Sequence, residues 1–378
     1  MAVGLYIHVP FCLKKCRYCD FISYPYSRTA AEDYLTALYR EIQLYGAYLD
    51  AGEREISSLF IGGGTPTCLS VGALKEILER IRSVFSMTST CEITVEANPG
   101  SIDADGLQEL RRSGANRLSI GVQSLADGLL EVLGRVHNAA QAGDAVRLAR
   151  QAGFDNINID LIYGIPGQTL AVWQETLDRA VSLDPEHIAA YGLQLEEGTP
   201  LEQSVTCGEM MACPEELELS MYHTAINYLK KSGYHHYEIS NFARAGRECT
   251  HNLVYWLNLP YLGLGPAAHS CFRGERFANE RELESYRSRL WRGEFLVADR
   301  ETLKLETEIS ETMFLGLRLL QGVELAAFQR RFSRRLEDYY RSEINKLTKD
   351  GLVELDGGFL RLTARGLPLA NRVFLEFV

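Results

Sequence analysis

The sequence predicts an α/β protein, with a partial (β/α)6 barrel followed by a C-terminal helical, winged-helix-like domain. Between residue 5 and about residue 195, short β-branched runs alternate with amphipathic helical stretches, which is typical of βαβ units around a parallel sheet. A chain of 378 residues is too long for one ordinary hydrophobic core. From about Glu301, two or three helical stretches precede a hairpin that we expect to turn at Asp356-Gly357.

We expect six barrel strands, at residues 5–9, 57–61, 92–96, 117–121, 156–162 and 187–195. The stretch 71–85 predicts a helix with Ser70 as its N-cap, because its apolar residues recur on one helical face. Another helix is expected at 214–232, whereas the segment 234–272 is rich in aromatic residues and glycine and follows neither period. The predicted domains are a core barrel at 1–200, a segment that completes it at 201–299, and the C-terminal domain at 300–378.

Composition excludes several classes of protein. The formal charge of −11 argues against a general nucleic-acid surface, and the positive and negative side chains of the C-terminal domain nearly balance, so no nucleic-acid partner is expected. The N-terminus lacks a basic region before its apolar stretch, and no later segment offers eighteen uninterrupted apolar residues, so we expect neither a signal peptide nor an integral membrane segment. Nine cysteines at irregular spacings indicate reduced thiols and predict a cytoplasmic location.

Three cysteines follow the first predicted strand, at Cys12, Cys16 and Cys19. Thiolates at spacings of four and three residues can converge from one loop on one metal centre, and thiolate favours iron–sulfur clusters, zinc or Cu(I). Lys14, Lys15 and Arg17 are expected to favour the deprotonated thiols. The alternatives are unconnected thiols or structural zinc, but zinc normally takes four ligands and no paired motif supplies the fourth.

The CxxxCxxC motif after a first barrel strand resembles the radical-SAM superfamily. That resemblance implies a radical-SAM barrel and a [4Fe-4S] cluster held by Cys12, Cys16 and Cys19. One iron would stay open to bind the amino and carboxylate groups of S-adenosylmethionine, whose sulfonium would receive an electron from the reduced cluster.

Glycine-rich and polar residues lie at the ends of the predicted strands. The run Ile61-Gly62-Gly63-Gly64-Thr65-Pro66 allows close backbone approach to a ligand, although a tight strand-to-helix turn explains it equally well alone. Glu96, Gln123 and Asp160 lie in or just after apolar strands, where they would be satisfied either by each other or by a cofactor. Arg135 could pair with the carboxylate of such a cofactor.

Several segments together resemble the oxygen-independent coproporphyrinogen III oxidase family. They are Tyr-Ile-His-Val-Pro-Phe-Cys, Ile-Gly-Gly-Gly-Thr-Pro-Thr, Val-Glu-Ala-Asn-Pro, Ser-Ile-Gly-Val-Gln-Ser and Asn-Ile-Asp-Leu-Ile-Tyr-Gly-Ile-Pro-Gly-Gln-Thr, in consistent order along the chain. The resemblance implies S-adenosylmethionine contacts from Tyr6, Gly63, Gly64, Thr65, Glu96, Gln123, Arg135 and Asp160, with a backbone contact from Tyr18.

The chain departs from the oxidase branch of that family. The oxidases have an extension before the family's tyrosine and a fourth cysteine two places after the third, whereas here Tyr6 lies near the N-terminus and Asp20-Phe21 follows Cys19. The run His251-Asn252-Leu253-Val254-Tyr255-Trp256 instead is similar to the His-Asn-x-x-Tyr-Trp signature of the family's heme chaperone branch. This implies that His251 is a heme contact, against the simpler interpretation of a hydrogen-bonded core histidine. Further candidates are Tyr255, Trp256 and His269.

The first hypothesis is therefore a heme chaperone that binds heme, transfers it to an acceptor protein, and retains a [4Fe-4S] cluster and an S-adenosylmethionine site. The alternative is an oxygen-independent coproporphyrinogen III dehydrogenase, which decarboxylates propionate side chains oxidatively. A third hypothesis is a radical-SAM enzyme with an unrelated substrate. The sequence identifies neither the heme acceptor nor the second iron ligand, and it is compatible with a homodimer.

Overall fold

A computed structural model describes residues 2–294 and 297–378. The strands of this described part are β1 (Val3–Val9), β2 (Phe11–Cys12), β3 (Tyr24–Pro25), β4 (Glu55–Gly63), β5 (Ser86–Ala97), β6 (Arg117–Gln123), β7 (Ile157–Tyr163), β8 (His187–Gly192), β9 (His235–Glu238), β10 (Asn241–Ala243), β11 (Tyr261–Leu264), β12 (His269–Phe272), β13 (Glu275–Asn279), β14 (Val297–Thr302), β15 (Val323–Glu324), β16 (Val353–Asp356) and β17 (Phe359–Leu362).

The α-helices of the same residues are α1 (Arg28–Tyr48), α2 (Val71–Val84), α3 (Ala104–Arg112), α4 (Asp127–Leu133), α5 (Ala139–Gln151), α6 (Leu170–Ser182), α7 (Pro200–Thr206), α8 (Glu215–Lys231), α9 (Thr250–Trp256), α10 (Leu283–Trp291), α11 (Leu305–Gly316), α12 (Leu325–Phe332), α13 (Glu337–Lys349) and α14 (Ala370–Phe374). None of them is long and apolar enough to span a membrane.

The central feature is one large sheet, in the order β14-β13-β12-β11-β1-β4-β5-β6-β7-β8-β10-β9. Its middle strands, from β11 to β8, are all parallel, and antiparallel strands extend it at both ends. Helices between successive parallel strands cover the outside, as the alternating sequence pattern requires. Among the described strands the sheet stays open between β14 and β9, so the predicted partial barrel is confirmed.

The six expected strands are confirmed as β1, β4, β5, β6, β7 and β8, with shifted ends. The largest error is at the third one, because β5 begins at Ser86, six residues before the expected start. The last expected strand is too long by three residues, because β8 ends at Gly192 and residues 193–195 belong to the loop before α7. The expected helix 71–85 is α2, whose N-cap Ser70 accepts a hydrogen bond from the Ala73 amide. Phe85 has an extended backbone (φ −106°, ψ 138°), so this helix ends one residue earlier than expected.

The aromatic and glycine-rich segment 234–272 contains four short strands, β9 to β12, and helix α9. Its strand β11 pairs in parallel with β1 and so adds a strand to the barrel. Glycine obscured that strand in the sequence, because it lowers β-propensity. Glycine is nevertheless required at position 263, because an added Cβ atom at Gly263 would lie 2.3 Å from the His269 carbonyl oxygen of the neighbouring strand.

The C-terminal region has its own buried core, contributed by residues between Ile309 and Phe377. Helices α11 to α13 precede the hairpin of β16 and β17, which β15 extends to three strands. The hairpin turns at Gly357-Gly358, one residue after the expected position, and both glycines have positive φ (58° and 86°) as tight hairpin turns require. The domain boundaries at residues 200 and 300 stay predictions, and the large sheet ends at Thr302.

The packing of α6 on α8 centres on Trp173. Its indole ring is fully buried, lies 5.6 Å from the Tyr163 ring, and donates a hydrogen bond from Nε1 to the Met221 carbonyl on α8 (2.9 Å). A side chain of this size fixes how both helices lie on the sheet.

We expect Trp173→Ala to lower the free energy of unfolding by about 3–5 kcal/mol, because it leaves a large cavity and removes the hydrogen bond to the Met221 carbonyl. Chemical denaturation followed by circular dichroism measures the change. The matched control is Trp291→Ala, since Trp291 is 58% exposed and the Arg40 guanidinium lies above its ring. Trp291→Ala should lower the free energy of unfolding by no more than about 1 kcal/mol. Equal losses in the two variants would contradict the assignment of Trp173 as a core residue.

Candidate functional site

The three predicted ligand cysteines lie on one loop at the carboxyl end of β1. Cys12 ends the short strand β2, which pairs with β3, and Cys16 and Cys19 lie in the loop between those strands. A turn joins the latter two, because the Cys19 amide donates to the Cys16 carbonyl (3.4 Å). All three cysteines are half-buried and free.

The structure shows two cations that act on these thiols, Lys15 and Arg135. Burial raises the pKa of Cys19, and the positive charge of Lys15 lowers it only partly. The Arg17 guanidinium donates to the Ser204 hydroxyl on α7 (2.8 Å), and its effect on the thiols stays a prediction. The cation that reaches a cysteine is Arg135, whose Nη1 lies 3.3 Å from the Cys16 sulfur.

A polar chain connects the cysteine loop with the barrel. The Thr65 hydroxyl donates to the Cys12 sulfur (3.7 Å) and accepts from the side-chain amide of Asn98 (2.8 Å). The Asn98 oxygen in turn accepts from Arg135 (2.5 Å). Asn98 therefore links the groups beside Cys12 and Cys16, a role that sequence reasoning missed although Asn-Pro after a buried strand was a visible signal.

The residues present can be tested for their fit to an iron–sulfur cluster. In the described ranges, no group of three His, Cys, Asp or Glu side chains is arranged to hold a metal ion. The Cys16 and Cys12 thiols are nevertheless close enough to Cys19 to help raise its pKa, although burial is the largest cause of the shift. The buried guanidinium of Arg135 has Asn98, the Gly121 carbonyl and the Cys16 sulfur as partners, while its Nε atom has none. A buried cation of this kind suits an anionic, thiolate-held group.

The glycine run after β4 lies directly against the cysteine loop. Gly63 has a φ of 110°, and an added Cβ atom at Gly64 would lie 2.5 Å from the Phe11 carbonyl oxygen. The Gly64 amide donates to the Val9 carbonyl (2.8 Å), and the Thr65 amide donates to the Phe11 carbonyl (2.7 Å). The glycines thus let two backbones touch, which fixes the cysteine loop relative to β4.

Glu96 and Asp160 are carboxyl groups that face the barrel lumen. Burial, and then the charge of Asp160, raises the pKa of Glu96 to about 8. Burial also raises the pKa of Asp160, although Asn158 and Ser119 donate hydrogen bonds to it. Two neighbouring carboxyl groups with raised pKa values are suited to a ligand that carries positive charge and hydroxyl donors, as S-adenosylmethionine does.

The remaining predicted cofactor contacts lie around the same lumen. Gln123 ends β6 with a φ of 64°, an unusual backbone for a residue with a side chain and one often found at functional sites. The Tyr6 hydroxyl is hydrogen-bonded to His8 Nδ1 (3.0 Å), and Tyr18 packs against a small apolar cluster beside α4. Burial raises the pKa of both tyrosines far above the usual range, so both stay neutral.

His251 is a fully bonded, buried residue in this structure. It is 2% exposed, its Nδ1 atom lies 2.9 Å from the Ser58 hydroxyl, and its Nε2 atom lies 2.9 Å from the Tyr255 hydroxyl. Its ring stacks on Phe60 at 5.2 Å, and burial lowers its pKa to about 3. Both ring nitrogens are therefore occupied, and in this arrangement the imidazole does not fit an iron ligand.

The other three aromatic candidates are divided between different environments. Tyr255 shares the His251 hydrogen bond, whereas Trp256 lies under the guanidinium of Arg318 (4.3 Å) with its Nε1 atom buried and unpartnered. Trp256 also lines a cavity of about 230 Å³ toward α11 and α12, smaller than typical ligand pockets. His269 is exposed on β12, where the structure places Arg276 and Arg281 around it.

A buried ionic group that the sequence did not predict lies beneath the lumen. Arg117 and Glu92 are both nearly inaccessible, with 3.9 Å between their charged atoms. The Glu92 carboxylate also accepts from the His251 amide (3.2 Å) and the Cys249 thiol (3.5 Å). Glu92 and Cys249 are 157 residues apart, so no local pattern could have paired them.

Two family profiles match the chain, one in the barrel region and one in the C-terminal region. The profile of the radical SAM superfamily matches residues 6–180. The profile of the HemN C-terminal domain matches residues 303–369. A [4Fe-4S] cluster and S-adenosylmethionine are the cofactors that radical SAM membership implies.

Relatives match over nearly the whole chain. The heme chaperone HemW of Bacillus subtilis is 38% identical over 374 residues, which cover 99% of this chain and 98% of that protein. The heme chaperone HemW of Escherichia coli is 31% identical, covering 100% of this chain and 98% of that protein. The solved structure of the E. coli coproporphyrinogen III oxidase HemN superposes with a TM-score of 0.87 at 26% identity, covering 100% of this chain and 90% of that one. The chain therefore belongs to the HemW family of the radical SAM superfamily, which is related to HemN.

Proposed function

We propose that this protein is a heme chaperone, which binds heme and transfers it to an acceptor protein while retaining a [4Fe-4S] cluster and an S-adenosylmethionine site. The observation that carries the proposal is near-full-length similarity to proteins named heme chaperone HemW, at 38% identity in B. subtilis and 31% in E. coli. A cytoplasmic location and a homodimer stay predictions from the sequence.

The proposed cluster ligands are Cys12, Cys16 and Cys19. Arg135 and Thr65 would support them, because the guanidinium and the hydroxyl lie beside two of the sulfurs. The cluster, when bound, supplies an electron to the sulfonium of S-adenosylmethionine.

Within the lumen, Glu96 and Asp160 would accept hydrogen bonds from the nucleoside and amino groups of S-adenosylmethionine. Gly63 and Gly64 would let it approach the backbone. Tyr6, Gln123 and the backbone of Tyr18 would complete its surroundings.

A second candidate function is oxidative decarboxylation of coproporphyrinogen III, which the superposition with HemN favours. Two features of the sequence weigh against it. Asp20-Phe21 follows Cys19 where the resemblance would require another cysteine, and the chain carries the His-Asn-x-x-Tyr-Trp run at 251–256.

The deciding experiment is an anaerobic heme titration of the reconstituted protein, run in parallel with a coproporphyrinogen III turnover assay containing S-adenosylmethionine and a reductant. We expect saturable one-to-one heme binding, followed by absorbance, and no turnover. Turnover combined with unsaturable heme binding would reject the chaperone in favour of the dehydrogenase.

Replacement of Cys12, Cys16 and Cys19 by alanine should reduce iron and sulfide to background after anaerobic reconstitution, because no other thiolates are proposed to hold the cluster. The charge-transfer absorbance should disappear with them. The matched control replaces three other cysteines, Cys207, Cys213 and Cys271, and should keep full iron and sulfide. A triple variant with normal iron content would refute the cluster assignment.

The role of His251 can be tested with two variants of one hydrogen-bonded pair. If His251 is a heme ligand, His251→Ala should weaken heme binding by at least about tenfold without changing cluster content. Tyr255→Phe should keep or increase affinity, because it frees Nε2 while retaining the ring. Heme titration by absorbance measures both. Unchanged heme affinity in His251→Ala, or equal weakening in the two variants, would remove His251 as a ligand and leave it as a core histidine.

A further inference from the structure

A row of polar side chains crosses the barrel wall beneath Asp160, one of the proposed cofactor contacts. Ser119, Asn158 and His187 are directly opposite one another on the adjacent parallel strands β6, β7 and β8. Asp160 follows two residues after Asn158 on the same face of β7. The row therefore lies beneath a carboxylate of the lumen.

These side chains form a continuous series of short hydrogen bonds. The Asn158 amide nitrogen lies 2.8 Å from Asp160 Oδ1, and its oxygen lies 2.6 Å from His187 Nδ1. His187 Nε2 lies 2.8 Å from the Tyr237 hydroxyl on β9. That hydroxyl accepts from the Cys249 backbone amide, which is the N-cap residue of α9 (3.3 Å).

The chemistry of the two ends fixes the direction of every bond in the series. Asp160 Oδ1 accepts from the Asn158 amide nitrogen, so Asn158 presents its oxygen to His187. His187 must then donate from Nδ1 and accept at Nε2 from the Tyr237 O–H. The tyrosine oxygen is left to accept from the backbone N–H of Cys249. Burial and the charge of Arg117 lower the pKa of His187 far below its usual value, which is consistent with the neutral ring that this direction requires.

The far end of the series holds the first turn of α9, the helix that carries His251. Besides Tyr237, the Glu92 carboxylate binds this turn through the Cys249 thiol and the His251 amide. His187 is 1% exposed and Tyr237 is 6% exposed, so water hardly competes for these bonds.

We propose that Asn158, His187 and Tyr237 are positioning residues that couple occupancy of the S-adenosylmethionine site to the first turn of α9. A ligand bound to Asp160 holds that carboxylate in one place as an acceptor, which stabilises each following hydrogen bond and tightens the start of the helix. The consequence for heme rests on the proposed function: the cofactor would control how readily the helix bearing His251 leaves the barrel.

Hydrogen exchange measured by mass spectrometry tests this coupling independently of heme and of turnover. The reconstituted full-length protein is compared with and without S-adenosylmethionine, anaerobically and without reductant, for peptides that contain Cys249 to His251. We expect the cofactor to slow exchange there by about fivefold or more. Tyr237→Phe should still bind the cofactor in equilibrium dialysis, with an affinity at most about fivefold weaker because the coupling is reciprocal, but it should lose this cofactor-dependent slowing.

The matched control is Tyr222→Phe, because Tyr222 is also a buried tyrosine with a hydrogen-bonded hydroxyl, donated to the Ile239 carbonyl outside the series (3.0 Å). It should keep the slowing, and His187→Leu should lose it as Tyr237→Phe does. A wild-type protein that binds the cofactor without slower exchange, or slowing that persists in Tyr237→Phe, would overturn the coupling. Failure to bind heme would refute the chaperone function alone, since the exchange result does not depend on it.

Discussion

The constraint on which the rest of this structure depends is the need to satisfy polar groups inside a barrel of parallel strands. A buried polar group without a partner costs about 1–3 kcal/mol, and a buried charge costs more. Here one wall of the barrel carries Glu96, Ser119, Asn158 and His187 in a single cross-strand row. Ser119, Asn158 and His187 are satisfied by hydrogen bonds to one another, whereas Glu96 and Asp160 keep raised pKa values that a suitable ligand would relieve. This pattern supports the proposed cofactor site, and the polar network of the lumen extends to neighbouring elements.

A steric constraint determines where the cysteine loop lies. The backbone of Phe11 approaches Gly64 so closely that any side chain there would collide with it. Hydrogen bonds from Gly64 and Thr65 then hold the loop to the end of β4. Because Thr65 also reaches Cys12 and, through Asn98, Arg135, the same contact orients the groups beside two thiols. The close backbone contact and these hydrogen bonds therefore position the same cysteine loop.

Most of the barrel could be predicted because its strands are continuous β-branched runs separated by amphipathic helices, a signal that is local in sequence. The strands β11 to β13 could not be predicted, because they are short and contain glycine or aromatic residues. The neighbouring strands determine the role of those residues. The cysteines and the lumen residues were visible as polar groups at strand ends. Glu92, Arg117 and Asn98 were not singled out, because their roles arise from partners distant in sequence. The burial of His251 was likewise invisible, although a core histidine was one of the two interpretations considered.

The position of His251 sets an energetic condition on any role in heme binding. To expose its ring, the first turn of α9 would have to leave the barrel and break its bonds to Ser58, Glu92 and Tyr237. With four such bonds at about 1 kcal/mol each, the open form would be about a thousandfold less populated than the closed form. The apparent affinity for heme would fall by the same factor. A chaperone must release its ligand as well as bind it, so a helix held closed by a network that begins at the cofactor site is a physical means of controlling both steps.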